Sequence, residues 1–142
     1  MIKDNQNPIP QGKYVPATRS GQIIYTAGMT PRDNGLLVMQ GKILCNTPIQ
    51  NYQPAVIIAA RNALIAAANM LLPEEEISKI LSMTVYVNAE EGFEKHARIA
   101  DFASEFLYEE IGEGAIGSRV AIGVASLPSN APVEIQLVVE AV

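Results

Sequence analysis

The chain has 142 residues, of which 49% are hydrophobic and 18% charged, with a formal net charge of −5. That length is most simply one domain over residues 1–142, and a chain of this size buries roughly 70% of the surface it exposes when unfolded, enough for a core without covalent staples. An acidic balance without a basic cluster argues against nucleic acid as the main partner, since phosphate neutralisation supplies most of that affinity, and against an anionic membrane surface.

In chain order, Met1-Ile2-Lys3-Asp4-Asn5-Gln6 is polar and leads into Pro8 and Pro10. Residues 1–13 read as an irregular leading segment without the apolar stretch of a signal peptide. Tyr14–Arg19 reads as an edge strand, because Pro16 cannot donate to a ladder. Ser20-Gly21 marks a turn, and Gln22–Gly28 is beta-branched and aromatic enough for a short strand. Pro31–Gly35 contains Asn-Gly and predicts a turn, with Leu36–Met39 pairing back. Cys45, the only cysteine, rules out a disulfide within the chain and points to a reducing, cytoplasmic setting.

Thr47-Pro48-Ile49-Gln50 has the form of a capped helix start, and the helix is expected to run to about Leu71. Pro54 either bends its first turns or marks its true start. The apolar run 55–72 is broken by Arg61, Asn62 and Asn69, so it reads as a buried helix and not a membrane span. Pro73–Glu76 looks like the acidic first turn of a short helix. Ile80–Val87 predicts a strand with Leu81, Met83, Val85 and Val87 on one face. A second amphipathic helix is expected from about Glu91 to Ile111, capped by Gly112.

Two strands close the chain, 117–125 and 133–140. Alternation puts Val120, Ile122 and Val124 on one face of the first, and Arg119, Ala121 and Gly123 on the other. On the second, Val133, Ile135, Leu137 and Val139 oppose Glu134, Gln136, Val138 and Glu140. The beta-branched walls are expected to face the core, leaving small residues, Arg119 and Glu134 on the other side with room for a ligand or a second subunit. Two long helices for five or six strands imply an α+β fold with both helices on one face of a mixed sheet. The uncovered face would be large for a soluble monomer, which favours a homo-oligomer.

Few groups suggest chemistry. Gly112–Gly117 matches G-x-G-x-x-G, but it follows a helix and precedes a strand, the reverse of a dinucleotide site. His96 is the only histidine and reads as a solvated helix residue, so neither a catalytic triad nor a metal site is well supplied. Cys45 reads as a plain cysteine, with a lowered thiol pKa as the alternative. Arg119 and Glu134 stand out because charges inside apolar strands are costly unless paired or solvated. They form either a structural ion pair or a site, with Arg119 as a fork for a carboxylate and Glu134 as a base or water-orienting group. A tight hairpin at 127–132 would hold them roughly 20 Å apart, so a bulge or a second subunit is needed to bring them together.

The chain resembles the RidA/YjgF family. The residues that carry the likeness are Gly12-Lys13-Tyr14-Val15-Pro16-Ala17, then Ile24–Pro31, and above all the block from Arg119 through Leu127-Pro128 to Val133-Glu134-Ile135. The resemblance, closest to a divergent YjgF-like branch, implies a chorismate-mutase-like α+β fold and a homotrimer with clefts between subunits. It also implies hydrolytic deamination of enamine or imine intermediates, of the 2-aminoacrylate and 2-iminobutyrate type, to 2-keto acids and ammonia without cofactor or metal. By position, Arg119 would bind the carboxylate of a small metabolite and Glu134 would activate water. Tyr14 would line the cleft, with Ala27, Gly28 and Ala121 in the pocket wall. Ala27 and Ala121 stand where the family has a serine and a cysteine, and the second helix has no clear match for the family's asparagine. The alternative is therefore a non-catalytic or differently specific carboxylate-binding trimer of the same fold.

Overall fold

The structure, a computed structural model, describes residues 6–142, so residues 1–5 of the leading segment lie outside it. Strands β1 (Ala17–Ser20) and β2 (Ile23–Thr26) pair antiparallel about a turn in which Gly21 takes φ 58°. A small second hairpin, β3 (Arg32–Asp33) and β4 (Leu36–Leu37), turns on Asn34 and Gly35. Both have positive φ (53° and 83°), which is the conformation a tight two-residue hairpin needs and why Asn-Gly is found there.

Helix α1 (Gln53–Ala68) begins at the second of its two candidate starts. A 3-10 turn, Ile49–Tyr52, precedes it with no side-chain cap from Thr47, and Pro54 lies in the first turn of α1, where its missing N–H costs nothing. The stretch 73–76 forms a turn and not a helix. The Glu75 carboxylate accepts the Leu72 N–H at 2.7 Å and pairs with Arg19 at 2.6 Å, which satisfies it without helical backbone. Helix α2 (His96–Ile111) starts later than periodicity implies, because Gly92 at φ 89° turns the chain just before it. Gly112, at φ 94°, ends it as expected, donating its N–H to the Tyr108 carbonyl at 2.9 Å.

The remaining strands are β5 (Ile77–Asn88), β6 (Ser118–Val124) and β7 (Val133–Ala141). The five-stranded sheet has the order β1-β2-β7-β5-β6, parallel only between β5 and β6. The two terminal strands are therefore not a hairpin, and β5 lies between them. The chain enters β6 through α2, parallel to β5, then crosses to the other edge of β5 to run back as β7.

Both helices cover one face of the sheet. Val133, Ile135, Leu137 and Val139 are fully buried there, as alternation predicts, with Ile24, Met83, Val85 and Val87. The slim alanine face of α1 (Ala59, Ala60, Ala63, Ala67) lets that helix lie close, and Ile99, Ala100, Ala103 and Leu107 of α2 complete the core. On β6 the expected faces are reversed. Arg119 pairs with Met83, Ala121 with Val85 and Gly123 with Val87, so these residues point toward the helices. Val120 (49% exposed) and Ile122 (43%) lie on the open face. The reversal follows from the close approach of α2. A Cβ at position 123 would sit 2.7 Å from His96 Nε2, so the helix side of β6 takes the small residues and the open side the large ones.

One further side chain leaves its expected face. The β5–β7 ladder slips between Ile80 and Ser82, so Ile80 pairs with Val139 and joins the core beside Met83. A bulge is the local device that lets consecutive segments of one strand present opposite parities. The open face carries Tyr25, Val120 and Ile122 with Thr84, Tyr86, Gln136 and Val138, and no element of the described residues covers it. No helix of the described residues is long and apolar enough to cross a membrane.

Candidate functional site

A cleft of about 360 Å³ opens at the end of the sheet where β7 begins. Its size falls in the range of small-molecule sites. It is lined by Gln11 and Tyr14 of the leading segment, by Ala27, Gly28, Thr30 and Arg32, by Pro128 and Ser129, and by Glu134.

Glu134 is the second residue of β7 and pairs with Tyr86. On its other side, Met29 and Ile135 exchange backbone hydrogen bonds of 2.7 and 2.8 Å, which draws Gly28 directly over the Glu134 side chain. A Cβ at position 28 would lie 2.8 Å from the Glu134 carboxyl carbon and 3.0 Å from its Cγ. Only glycine leaves room for the carboxylate. Glu134 is half-buried, and that desolvation raises its pKa above the ordinary carboxylate value. A carboxyl group with a raised pKa is better matched to proton transfer near neutral pH.

Arg32, on β3, faces the same cleft. Its Nη1 donates to the Gly35 carbonyl at 2.7 Å and its Nη2 to the Ser129 hydroxyl at 2.9 Å. Its Nε is buried and has no acceptor among the described residues. An orphaned buried donor costs roughly 1–3 kcal/mol, more when charged. Among the described residues no carboxylate pairs with this guanidinium. A second, smaller cavity of about 140 Å³ shares Gln11, Tyr14, Gly28, Thr30 and Arg32 with the cleft.

The loop bearing Ser129 is held from several sides. Ser129 and Asn130 both take positive φ (55° and 57°). Their backbone is fixed by Gln40 donating to the Ser129 carbonyl at 3.1 Å and Gly41 N–H to the Asn130 carbonyl at 2.8 Å. Asn88, fully buried at the end of β5, donates to Asn130 Oδ1 and the Ala131 carbonyl. Lys42 bridges Asn88 Oδ1 and the Ala125 carbonyl at 3.0 and 2.7 Å.

The chain matches the model of the endoribonuclease L-PSP family over residues 4–141. It belongs to that family, the YjgF/RidA family. It is 26% identical over 133 residues to Protein TCP17 of Trypanosoma cruzi, covering 92% of this chain and 82% of TCP17. The crystal structure of Atu1372 from Agrobacterium tumefaciens, a protein of unknown function, is similar at 31% identity with a TM-score of 0.81, over 93% of this chain and 85% of that one. The YjgF gene product of E. coli shares the fold at 21% identity and TM-score 0.64, over 96% and 94% of the two chains.

Of the six residues that the YjgF resemblance singles out, the fold gathers Tyr14, Ala27, Gly28 and Glu134 around one cleft. It does not bring Arg119 or Ala121 there. Arg119 lies on the helix face and Glu134 on the open face, so the two do not meet within the chain. Arg119 Nη1 contacts Asp101 at 2.7 Å and the Ser104 hydroxyl at 2.9 Å, and Nη2 donates to the Ala97 carbonyl at 2.9 Å. All three partners belong to α2. Within the chain the arginine clamps that helix to the edge of the sheet. Ala121 packs against the core.

Arg32 and Ser129 are the cleft residues that sequence reasoning missed. Arg32 lies in a segment whose signal was turn chemistry, Pro31–Gly35, and Ser129 in the connection Leu127–Pro132, where no residue between Pro128 and Val133 stood out. The lone His96 is partly buried rather than solvated, set edge-on to Phe93 at 5.2 Å. Cys45 is exposed, and its thiol pKa is raised, not lowered, by the neighbouring Glu90 carboxylate.

Proposed function

We propose that the cleft binds a small carboxylate-bearing metabolite and hydrolyses its enamine or imine form to a 2-keto acid and ammonia. The observation that carries this reading is Glu134, a desolvated carboxyl group under the Gly28 backbone, facing a cleft that also holds Tyr14 and a cation. Hydrolysis of an imine needs a positioned water and little else. Water adds to the imine carbon while Glu134 takes its proton. That proton passes to nitrogen to give a carbinolamine; the hydroxyl proton then follows to nitrogen by way of Glu134, the C–N bond breaks as the C=O bond forms, and ammonia leaves. Residues in this cleft supply a base and charge complementarity, and the reaction calls for no cofactor.

The uncovered sheet face, with Tyr25, Val120 and Ile122 exposed, supports assembly into a homotrimer whose neighbouring subunits border the cleft. The net charge of −5 counts against RNA as substrate, despite the family's name. The test is release of ammonia and 2-oxobutyrate from 2-iminobutyrate generated in situ. We expect a rate above buffer that Glu134→Gln removes; no rate above buffer would refute the hydrolysis.

One observation favours a second reading. Ala27 lines the cleft where the resemblance implies a serine, which leaves one polar group fewer to act on water. The protein would then bind a small carboxylate without turning it over, and 2-oxobutyrate would bind while no ammonia is released.

A further inference from the structure

We infer that Thr26 is a positioning residue of this cleft: its hydroxyl holds a one-residue bulge after β2 that sets the Gly28 backbone against the Glu134 carboxylate. The inference rests on the reading of Glu134 as the group that acts on water, and adds what holds that group in place.

The register carries it. Tyr25 pairs with Val138, and Met29 bridges Ile135. Residues 26, 27 and 28 on one side therefore oppose only 136 and 137 on the other. An extra residue of this kind is a bulge, and a shift of one residue sends the later side chains to the opposite face. Ile24 and Thr26 are buried on the helix face, with Tyr25 exposed between them. An unbroken strand would continue that parity, placing Gly28 on the core side and Met29 opposite Glu134 on the open side. The bulge reverses both. Met29 enters the core with Ile135, and Gly28 faces the open side, over Glu134.

Thr26 fills the gap that the bulge opens. Its Oγ1 accepts the Leu137 N–H at 3.0 Å, a donor that faces β2 where the ladder is interrupted, and donates to the Ala27 carbonyl at 2.8 Å. The Thr26 carbonyl receives Gln136 Nε2 at 3.1 Å, and the Ala27 N–H goes to the Pro16 carbonyl at 2.8 Å. Thr26 is 3% exposed, so its hydroxyl serves the backbone and not a ligand. Serine offers the same hydroxyl. Valine has the same shape and no acceptor, and leaves the Leu137 N–H buried without a partner unless the backbone moves. The movement that restores a ladder bond lifts Gly28 off the carboxylate.

The test is NMR titration of the Glu134 carboxyl carbon in the full-length protein, wild type beside Thr26→Val and Thr26→Ser, with Glu134→Gln to assign the signal. The other charged or titratable groups facing Glu134 are Tyr14 and Arg32 across the cleft and Tyr86 beside it on β5, and none of them is changed by a substitution at 26. We expect Thr26→Ser to titrate as wild type does, and Thr26→Val to titrate lower, toward the ordinary 4.5, as water reaches the released carboxylate. Ammonia release from 2-iminobutyrate, followed in parallel, should fall roughly 10- to 100-fold in Thr26→Val, the loss that follows misplacing a reacting group by about 1 Å, and stay near wild type in Thr26→Ser. Where Thr26→Val does not fold, Thr26→Cys replaces it, since a thiol packs as a small apolar group and accepts weakly; it should shift the same way by less. An unchanged Glu134 titration in the folded valine or cysteine variant overturns the inference. So does a serine variant that shifts as far as valine, because the hydroxyl is then not the cause. If wild type releases no ammonia, the hydrolysis reading falls, while the titration still decides whether Thr26 positions Glu134.

Discussion

Replacing Gly28 by alanine tests the closest contact in the cleft. The new Cβ would sit 2.8 Å from the Glu134 carboxyl carbon and 3.0 Å from Cγ, well inside an ordinary carbon–carbon separation of roughly 3.5–4.0 Å. Position 28 is not in the left-handed region, so alanine adds no backbone strain of its own. The Glu134 side chain must therefore swing away. Holding it off its preferred rotamer costs about 0.5–1.5 kcal/mol. In a Glu134→Ala background the obstruction is gone, and Gly→Ala at a compatible position stabilises by about 0.4–1 kcal/mol through the unfolded chain. That unfolded-chain gain is common to both backgrounds and cancels between them, so the coupling is the cost of displacing Glu134, about 0.5–1.5 kcal/mol. Urea unfolding of wild type, both single variants and the double variant, at one protein concentration and pH 7, measures it. Gly28→Ala should also weaken 2-oxobutyrate binding, since it moves the carboxylate that the cleft is built around. Equal destabilisation in both backgrounds, within about 0.5 kcal/mol, would show that position 28 does not act through Glu134.

Arg119→Ala should lower stability by about 1–3 kcal/mol, because it strands the buried Ser104 hydroxyl and removes the tie between β6 and α2; denaturant melts measure it. Gly117→Ala should be more damaging than Gly123→Ala. A Cβ at 117 runs into the Ile80 backbone carbonyl, which cannot turn aside, while one at 123 meets only the His96 ring; comparing their melting temperatures decides it. For Glu134, the folded pKa is raised, so the folded state holds its proton more tightly and stability falls as pH rises through the folded value. Glu134→Gln should be the more stable protein at pH 7, with the advantage gone below the ordinary value of 4.5, as read from unfolding at both pH values. Glu75 has the opposite sign. Arg19 holds its pKa down to about 2 from 4.5, so its contribution is present above 4.5 and lost as pH falls toward 2, and Glu75→Gln should erase that part of the acid sensitivity.

The α+β architecture was legible because long periodic segments record which face is buried. The four core residues of β7 alternate without interruption, and the alanines of α1 announce a helix that lies close on a sheet. Strand β6 was misread for a physical reason. Alternation divides a strand into two faces but does not say which is inside. The large residues were assigned to the core, yet α2 approaches so closely that only Ala121, Gly123 and the flat Arg119 fit beneath it. Ile80 shows the same limit, since a single slipped residue in β5 inverts a parity that no composition marks. The order of strands was also hidden. Two apolar strands joined by a short connection look like a hairpin, and only the partner preferences of β5 reveal that it separates them. In the cleft, Glu134 was visible because a charge inside an apolar strand is unusual. Arg32 was not, because a charge in a turn is ordinary, and only the hairpin's position brings it to the cleft.

The two halves of the cleft are held differently, and that bears on how it works. Glu134 stands on the sheet, between Tyr86 and the Met29–Ile135 bridge, so its Cα moves only if β7 moves. Arg32 and Ser129 stand on loops, which ordinarily adapt. Here they are constrained by other means. Positive φ at Ser129 and Asn130 is an uncommon conformation for non-glycine residues, and it persists only where the surroundings over-determine it. Asn88 supplies much of that constraint: it is fully buried, and its amide reaches the Asn130 side chain and the Ala131 carbonyl while its oxygen receives Lys42. The end of β5 thus fixes the loop on the far side of the cleft from Arg32, and the Arg32–Ser129 hydrogen bond ties the two loops together. The loop side of the cleft is thus as fixed as the strand side, by hydrogen bonds rather than by a sheet ladder.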